Sequence, residues 1–290
     1  MTKLKKDWMW IIALLGPALL VYLIFMWLPT GLGLYQSLFR WRGIFDNEFV
    51  GLRNYQFLFE SRLFRHSIWV TLQYMFLSVG LQIPTAYIIA YLLYSGVKGH
   101  RFFRFLFFVP VVLLTVAVGI MFNYLFSRAF GMLAPIAEAF GIEYFDPLAR
   151  QETALITAVL ADWWKWLGVK IMLFYAGFQN LPTELLEAAA IDGAGKVGVF
   201  FRIVIPLTWE TITLVVTLLV IGALKVFDLL YVMTAGGPNH ATSVITIHLV
   251  QTAFDEQNFG SGSAIAVIML VLSLGITLLL RRGLQRTKFT

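Results

Sequence analysis

The chain has 290 residues, 59% hydrophobic and 13% charged, with a formal net charge of +6 and no cysteine; its mean hydropathy is +0.79. Soluble domains carry about 25% charged residues, so this composition belongs to a membrane protein, and the missing cysteines exclude a disulfide framework, a thiolate zinc site and a thiol nucleophile. His66, His100, His240 and His248 are scattered without metal-ligand spacing, and the basic residues collect at the ends of apolar stretches, which suits orientation in a bilayer rather than binding of nucleic acid.

A membrane helix needs roughly 20 mainly apolar residues. Six stretches meet that length: 8–29, 67–94, 102–126, 153–178, 209–232 and 263–280. The first is longer than a signal-peptide core and lacks a small-residue cleavage site, so it is expected to stay as a span. Pro84 and Pro110 are expected to kink their helices. Lys3, Lys5 and Lys6, then Lys98, Arg101 and Arg104, then Lys196 and Arg202, and finally Arg281, Arg282, Arg286 and Lys288 put twelve basic residues on one side. The other side has seven: Arg40, Arg42, Arg53, Arg62, Arg65, Arg128 and Arg150. Both termini and the 179–208 loop are therefore expected in the cytoplasm. The first outer segment, which also holds Asp46, Glu48 and Glu60, is long enough to fold as a small external cap.

The 179–208 loop carries most of the functional information. Pro182-Thr183-Glu184 reads as a helix start, and Leu185, Leu186, Ala189 and Ala190 recur at helical spacing. Asp192-Gly193 breaks that helix, because glycine tolerates the left-handed conformation of a sharp turn. A second short helix over 195–204 is expected to end at Pro206. By periodicity alone this is equally an ordinary helix lying on the bilayer surface. The adjoining Gly193-Ala194-Gly195-Lys196 imitates the end of a phosphate-binding loop. Ala190 stands where that loop needs its first glycine, and Val197 where it needs Ser or Thr. The chain has no ATP site of this kind.

Glu187-Ala188-Ala189, Gly193, then Ile203, Ile205 and Pro206 resemble the EAA motif of ABC-importer permeases, with Ile205 in place of a leucine. Phe227-Asp228, Tyr231, Thr234 to Pro238 and Thr242, together with Val50-Gly51-Leu52, Asn54-Tyr55 and Phe259-Gly260, Gly262, Ala264, resemble the maltose and glycerol-phosphate (MalF/UgpA) class of sugar permeases over nearly the whole length. The resemblance implies an all-α membrane protein with six transmembrane helices in the type I ABC importer permease fold, one domain over 1–290. It implies a coupling hairpin in which Glu187 contacts an ATPase, Asp192 and Gly193 turn, Ala188 and Ala189 pack closely, and Pro206 closes the segment. It implies a bacterial cell membrane location, a MalG-like second permease, two cytoplasmic ATPases that bind ATP and Mg, and an extracytoplasmic sugar-binding protein. The chain itself is then no enzyme and has no cofactor.

Charges at membrane depth face a bundle interior or an aqueous cavity. The fourth stretch carries Asp162, Trp163, Lys165, Trp166 and Lys170, and the fifth Lys225 and Asp228. One reading is a sugar pathway, with aromatic faces against sugar C–H groups and polar groups on hydroxyls. The other is an interfacial tryptophan belt with Asp162–Lys165 and Lys225–Asp228 paired at i, i+3. The resemblance places Asp162, Lys165 and Trp166, with Gly222, Ala223 and Val226, at sugar-contacting positions. If both lysines lack carboxylate partners, an acidic sugar enters consideration, and glycerol phosphate stays open as a substrate. Asn123, Tyr124, Gln73 and Gln82 read either as entrance lining or as interhelical hydrogen bonds. An intramembrane enzyme would need a convergent acid/base or metal constellation that the pattern lacks. An ion-driven transporter would leave the hairpin unexplained.

Overall fold

The computed structural model describes residues 2–43 and 47–285, without side chains at 2–10, 190, 284 and 285. Asp46, Arg286 and Lys288 lie outside the described residues, as do the side chains of Lys3, Lys5, Lys6 and Ala190. In chain order the helices begin with α1 (Thr2–Tyr22) and, after a π turn at Leu23–Trp27, α2 (Leu28–Gln36). Strands β1 (Phe39–Trp41) and β2 (Asn47–Phe49) pair antiparallel, Phe39 opposite Phe49. They are the one departure from an all-helical chain among the described residues. Then come α3 (Arg53–Glu60), α4 (Arg62–Tyr94), α5 (His100–Val112), α6 (Thr115–Phe126), α7 (Leu133–Ala139), α8 (Gln151–Gln179) and α9 (Thr183–Ile191). The rest are α10 (Lys196–Val199), a π turn Phe200–Val204, α11 (Ile205–Leu207), α12 (Trp209–Leu224), α13 (Asp228–Thr234), α14 (Ile245–Val250), a π turn Gln251–Asp255 and α15 (Phe259–Gln285).

The chain divides into two compact units, one of residues 1–65 with 249–271 and one of 66–248 with 272–290. In the first, Asn54 Nδ2 donates to the Ser37 and Phe39 carbonyls at 2.8 and 2.9 Å, and Ser37 Oγ meets the Tyr55 hydroxyl at 2.7 Å. In the second, α5 packs on α8, α6 packs on α13, and α8 also receives α6, α12 and α13. The central place of α8 follows from its small buried face: Ala154, Ala158, Ala161 and Gly168 let neighbours come close. A Cβ at Gly168 would stand 2.3 Å from the Phe107 carbonyl oxygen, so this contact admits only glycine.

Three helices are long and apolar enough to cross a membrane, Ile11–Gln36, Arg62–Tyr94 and Phe259–Gly283, or up to five if each of two bent pairs is one span. At 1.5 Å per residue α8 is about 43 Å long, enough to cross, although Asp162, Lys165 and Lys170 interrupt its apolar character. Two expected spans are interrupted rather than continuous helices. The stretch 102–126 is not one kinked helix: it breaks at Leu113-Leu114, both extended, and turns by 96°. The stretch 209–232 stops at Leu224 and resumes at Asp228. Thr246 Oγ1 donates to the Val226 carbonyl, so a distant residue takes the acceptor that a continuous helix would have used. By contrast α4 runs through Pro84 as one helix.

Candidate functional site

The 183–208 hairpin consists of two helical segments joined by a turn at Asp192-Gly193. Its first helix starts at Thr183, with Glu184 in the first turn where a negative charge suits the helix dipole. At the far end Asp192 N donates to the Ala188 carbonyl at 3.0 Å and Ala194 N to the Ala189 carbonyl at 2.9 Å. Gly193 supplies the left-handed residue, φ +73°, that lets the chain reverse there. No atom crowds a Cβ at this position, so the backbone angle and not space is what requires glycine. Glu187, Ala188 and Asp192 are exposed, Ala189 is half-buried, and Ile191 is 86% exposed. The second half differs from expectation: α10, its π turn and α11 run to Leu207, with Pro206 inside the first turn of α11 and not at the end. The bend of 69° falls at Thr208.

Aromatic packing anchors this hairpin to α4 and α8. The Tyr87 ring meets Phe174, Phe178 and Phe200 edge-on at 5.0–5.7 Å between centroids, and Tyr91 packs against Phe178 and Phe200. The Tyr87 hydroxyl meets Thr208 Oγ1 at 2.6 Å, at the bend itself. Val204, fully buried, and half-buried Leu186 and Ile205 complete the cluster.

A cavity of ≈ 340 Å³ lies among α4, α8, α12 and the break before α13. Of the residues singled out from sequence, Gln82, Asp162, Trp166, Lys170, Gly222, Ala223, Lys225, Val226, Phe227 and Asp228 line it. Trp163 and Lys165 do not line it. Trp163 Nε1 donates to Thr85 Oγ1 at 2.9 Å, a helix–helix bond. Lys165 is 1% exposed and donates from Nζ to the Leu113 carbonyl at 2.6 Å, with the Trp166 ring centroid 4.8 Å away. It caps the carbonyl that the break between α5 and α6 leaves without a helical donor. Neither expected ion pair forms: among the described residues no ion pair within 4 Å joins Asp162 to Lys165 or Lys225 to Asp228. Asp162 Oδ2 accepts instead from Gln82 Nε2 at 2.8 Å.

On the wall contributed by α4, Gln82 was singled out from sequence, whereas Tyr74 and Ser78 were not. Tyr74, Ser78 and Gln82 recur at i, i+4 and i+8, a single face about 12 Å long, and all three line the cavity. The Tyr74 hydroxyl, Ser78 Oγ and Gln82 Oε1 are buried and have no hydrogen-bond partner. The Tyr74 hydroxyl interacts with Ser78 and Asp162, but neither contact meets the geometry of a hydrogen bond. A buried polar atom left unpaired costs about 1–3 kcal/mol, so three in one row form a polar rail suited to a hydroxyl-rich ligand. A four-residue recurrence of polar side chains in an apolar stretch is the signal that was available for it. Phe227 stacks on Tyr231 at 4.9 Å, and Lys170 Nζ lies 5.8 Å from the Trp166 ring, so aromatic faces border the cavity as well. Of the other candidates, Asn123 Nδ2 donates to the Met233 carbonyl at 2.7 Å, an interhelical bond, and Gln73 and Tyr124 are exposed. Among the described residues no cluster of His, Asp or Glu could hold a metal ion.

Residues 82–288 match the family described as "Binding-protein-dependent transport system inner membrane component". The chain is 31% identical to the multiple sugar-binding transport system permease protein MsmF of Streptococcus mutans, over 98% of this chain and 97% of that one. It is 33% identical to the trehalose/maltose transport system permease protein MalF of Thermococcus litoralis, over 90% and 89% of the two chains. A crystal structure of a bacterial ABC transporter that imports the acidic polysaccharide alginate has the same fold, with a TM-score of 0.88 at 20% identity over 99% of this chain and 98% of that one.

Proposed function

The chain belongs to the binding-protein-dependent transport system inner membrane components, and from that membership we propose that it is one of two permease subunits of an ATP-driven importer that moves a carbohydrate into the cytoplasm. A MalG-like second permease, two cytoplasmic ATPases holding ATP and Mg, and an extracytoplasmic binding protein complete the machine, with both termini of this chain cytoplasmic. The observation that carries the reading is that α4 and α8 line the cavity at one level and grip the hairpin through Tyr87, Phe174 and Phe178 at another. A push on Glu187 and its neighbours is then delivered to the helices that shape the cavity. Coupling needs the two access states to differ in affinity for both the motor's geometry and the ligand.

The relatives are named for sugars, and the cavity suits one. Unpaired polar atoms on α4 supply hydrogen bonds, and Trp166 and Phe227 supply aromatic faces. Asp162 and Asp228 share its wall with Lys170 and Lys225, and because neither Lys165 nor Lys225 has a carboxylate within 4 Å among the described residues, an acidic sugar stands beside a neutral one as a substrate. The test is ATPase activity in proteoliposomes with the chain assembled with its partner permease and ATPases. Sugar-loaded binding protein raises the rate for the native chain, and Glu187→Lys or Gly193→Asp abolishes the rise while assembly of the spans persists. An ATPase that never associates with the chain sinks the reading.

A further inference from the structure

A second concavity, of ≈ 400 Å³, lies wholly within the unit of residues 1–65 and 249–271. Its lining is polar and basic: Arg40 and Arg42 from the β1 side, Arg53 and Gln56 from α3, Glu60, and Asn258 ahead of α15. Arg40 Nη1 is held by Glu48 Oε2 at 3.1 Å. Arg42 and Arg53 have no carboxylate within 4 Å among the described residues, and both are exposed.

These side chains stand on a fixed platform. Asn54 ties α3 to the Ser37 and Phe39 carbonyls. Gly260 is pressed so closely on Phe39 that a Cβ would lie 2.1 Å from its carbonyl oxygen. Trp41 packs on Phe259 with ring centroids 5.0 Å apart. Five arginines between α2 and residue 65 oppose the charge bias that otherwise orients the chain.

We infer that Arg42 and Arg53 form a docking site for acidic side chains of the extracytoplasmic binding protein. The inference rests on the importer reading above, which places this segment on the outer face. Two guanidinium groups without a carboxylate partner among the described residues present planar forks that match carboxylates, flanked by amide donors from Gln56 and Asn258. Val50 and Phe57 are the apolar residues in a lining that is otherwise polar or charged, which suits acidic side chains from a loop better than a lipid tail. Charge pairs of this type act mostly on encounter and register, so the site sets how readily the binding protein is captured and leaves the later steps alone.

The test uses the full transporter in nanodiscs, with the co-encoded binding protein, loaded with its sugar, as the probe, and ATPase rate against its concentration as the readout. Arg42→Gln/Arg53→Gln raises the half-saturating concentration on the order of tenfold with the maximal and basal rates unchanged. The doubly reversed Arg42→Glu/Arg53→Glu raises it further, and both variants lose part of the native response to added NaCl. A half-saturating concentration unchanged in both variants overturns the docking site, as does a shift that follows anionic lipid content in the disc. If the native assembly is itself not stimulated by binding protein, the importer reading and the docking site fall together; stimulation of the native chain with insensitive variants removes the docking site alone.

Discussion

The hairpin anchor and the cavity share α4 and α8, yet their interiors are opposite in kind. Around Tyr87 the rings interlock and the hydroxyl is bonded to Thr208. Around Tyr74, thirteen residues earlier on the same helix, the hydroxyl is just as buried but unbonded, together with Ser78 Oγ and Gln82 Oε1. A filled and satisfied interior resists deformation and transmits force. An interior with unpaired polar groups is incomplete until something supplies the missing bonds. One helix therefore serves as a lever at one level and as a binding wall at another, and its side chains show where the change occurs.

The contrast breaks most visibly at Tyr87. Tyr87→Ala removes the ring shared by Phe174, Phe178 and Phe200 and the bond at the bend. A loss of about 3 kcal/mol or more is expected for truncating such a ring, seen as a lowered melting temperature in detergent and as ATP hydrolysis uncoupled from uptake. Tyr87→Phe keeps the packing and loses only the 2.6 Å bond, so it should fall between the native chain and Tyr87→Ala in both readouts. A Tyr87→Ala chain with native coupling would show that the cluster is not the transmission element.

Lys165 gives the intermediate effect. Lys165→Met leaves the Leu113 carbonyl without its donor, a cost of about 1–3 kcal/mol that should appear as faster proteolysis at the 113–114 break. Because Lys165 lies outside the cavity lining, the KM for sugar uptake should stay native. A raised KM with unchanged proteolysis would return Lys165 to the substrate pathway.

The smallest effect on stability and the sharpest on function are expected at Tyr74. Tyr74→Phe deletes a hydroxyl that bonds nothing, so thermal stability should be unchanged or slightly higher. Losing one ligand hydrogen bond of about 0.5–1.5 kcal/mol raises the KM for the sugar severalfold with coupling intact. A variant that loses stability while keeping native KM would mean that the rail is structural.

Much of the molecule was legible in the chain because local chemistry dictates it. Apolar length locates α4 and α15, and Glu187-Ala188-Ala189 with Asp192-Gly193 specifies a helix and a left-handed turn that only glycine enters without strain. The charged residues of α8 announced themselves because charges are rare at that depth. What stayed hidden depends on partners far away in sequence. The 102–126 stretch looks continuous, and it breaks where a buried Lys165 stands ready to take the Leu113 carbonyl. The 209–232 stretch looks continuous, and Thr246 holds its broken end. Lys165 and Lys170 are alike in composition and share a helix, but only Lys170 reaches the cavity. Sequence alone therefore determined the apolar stretches and the turn of the hairpin, whose causes lie within a few residues. The tertiary structure alone decided where helices break and which polar atoms remain unpaired, because a hydrogen bond between distant segments exists only once the packing has brought them together.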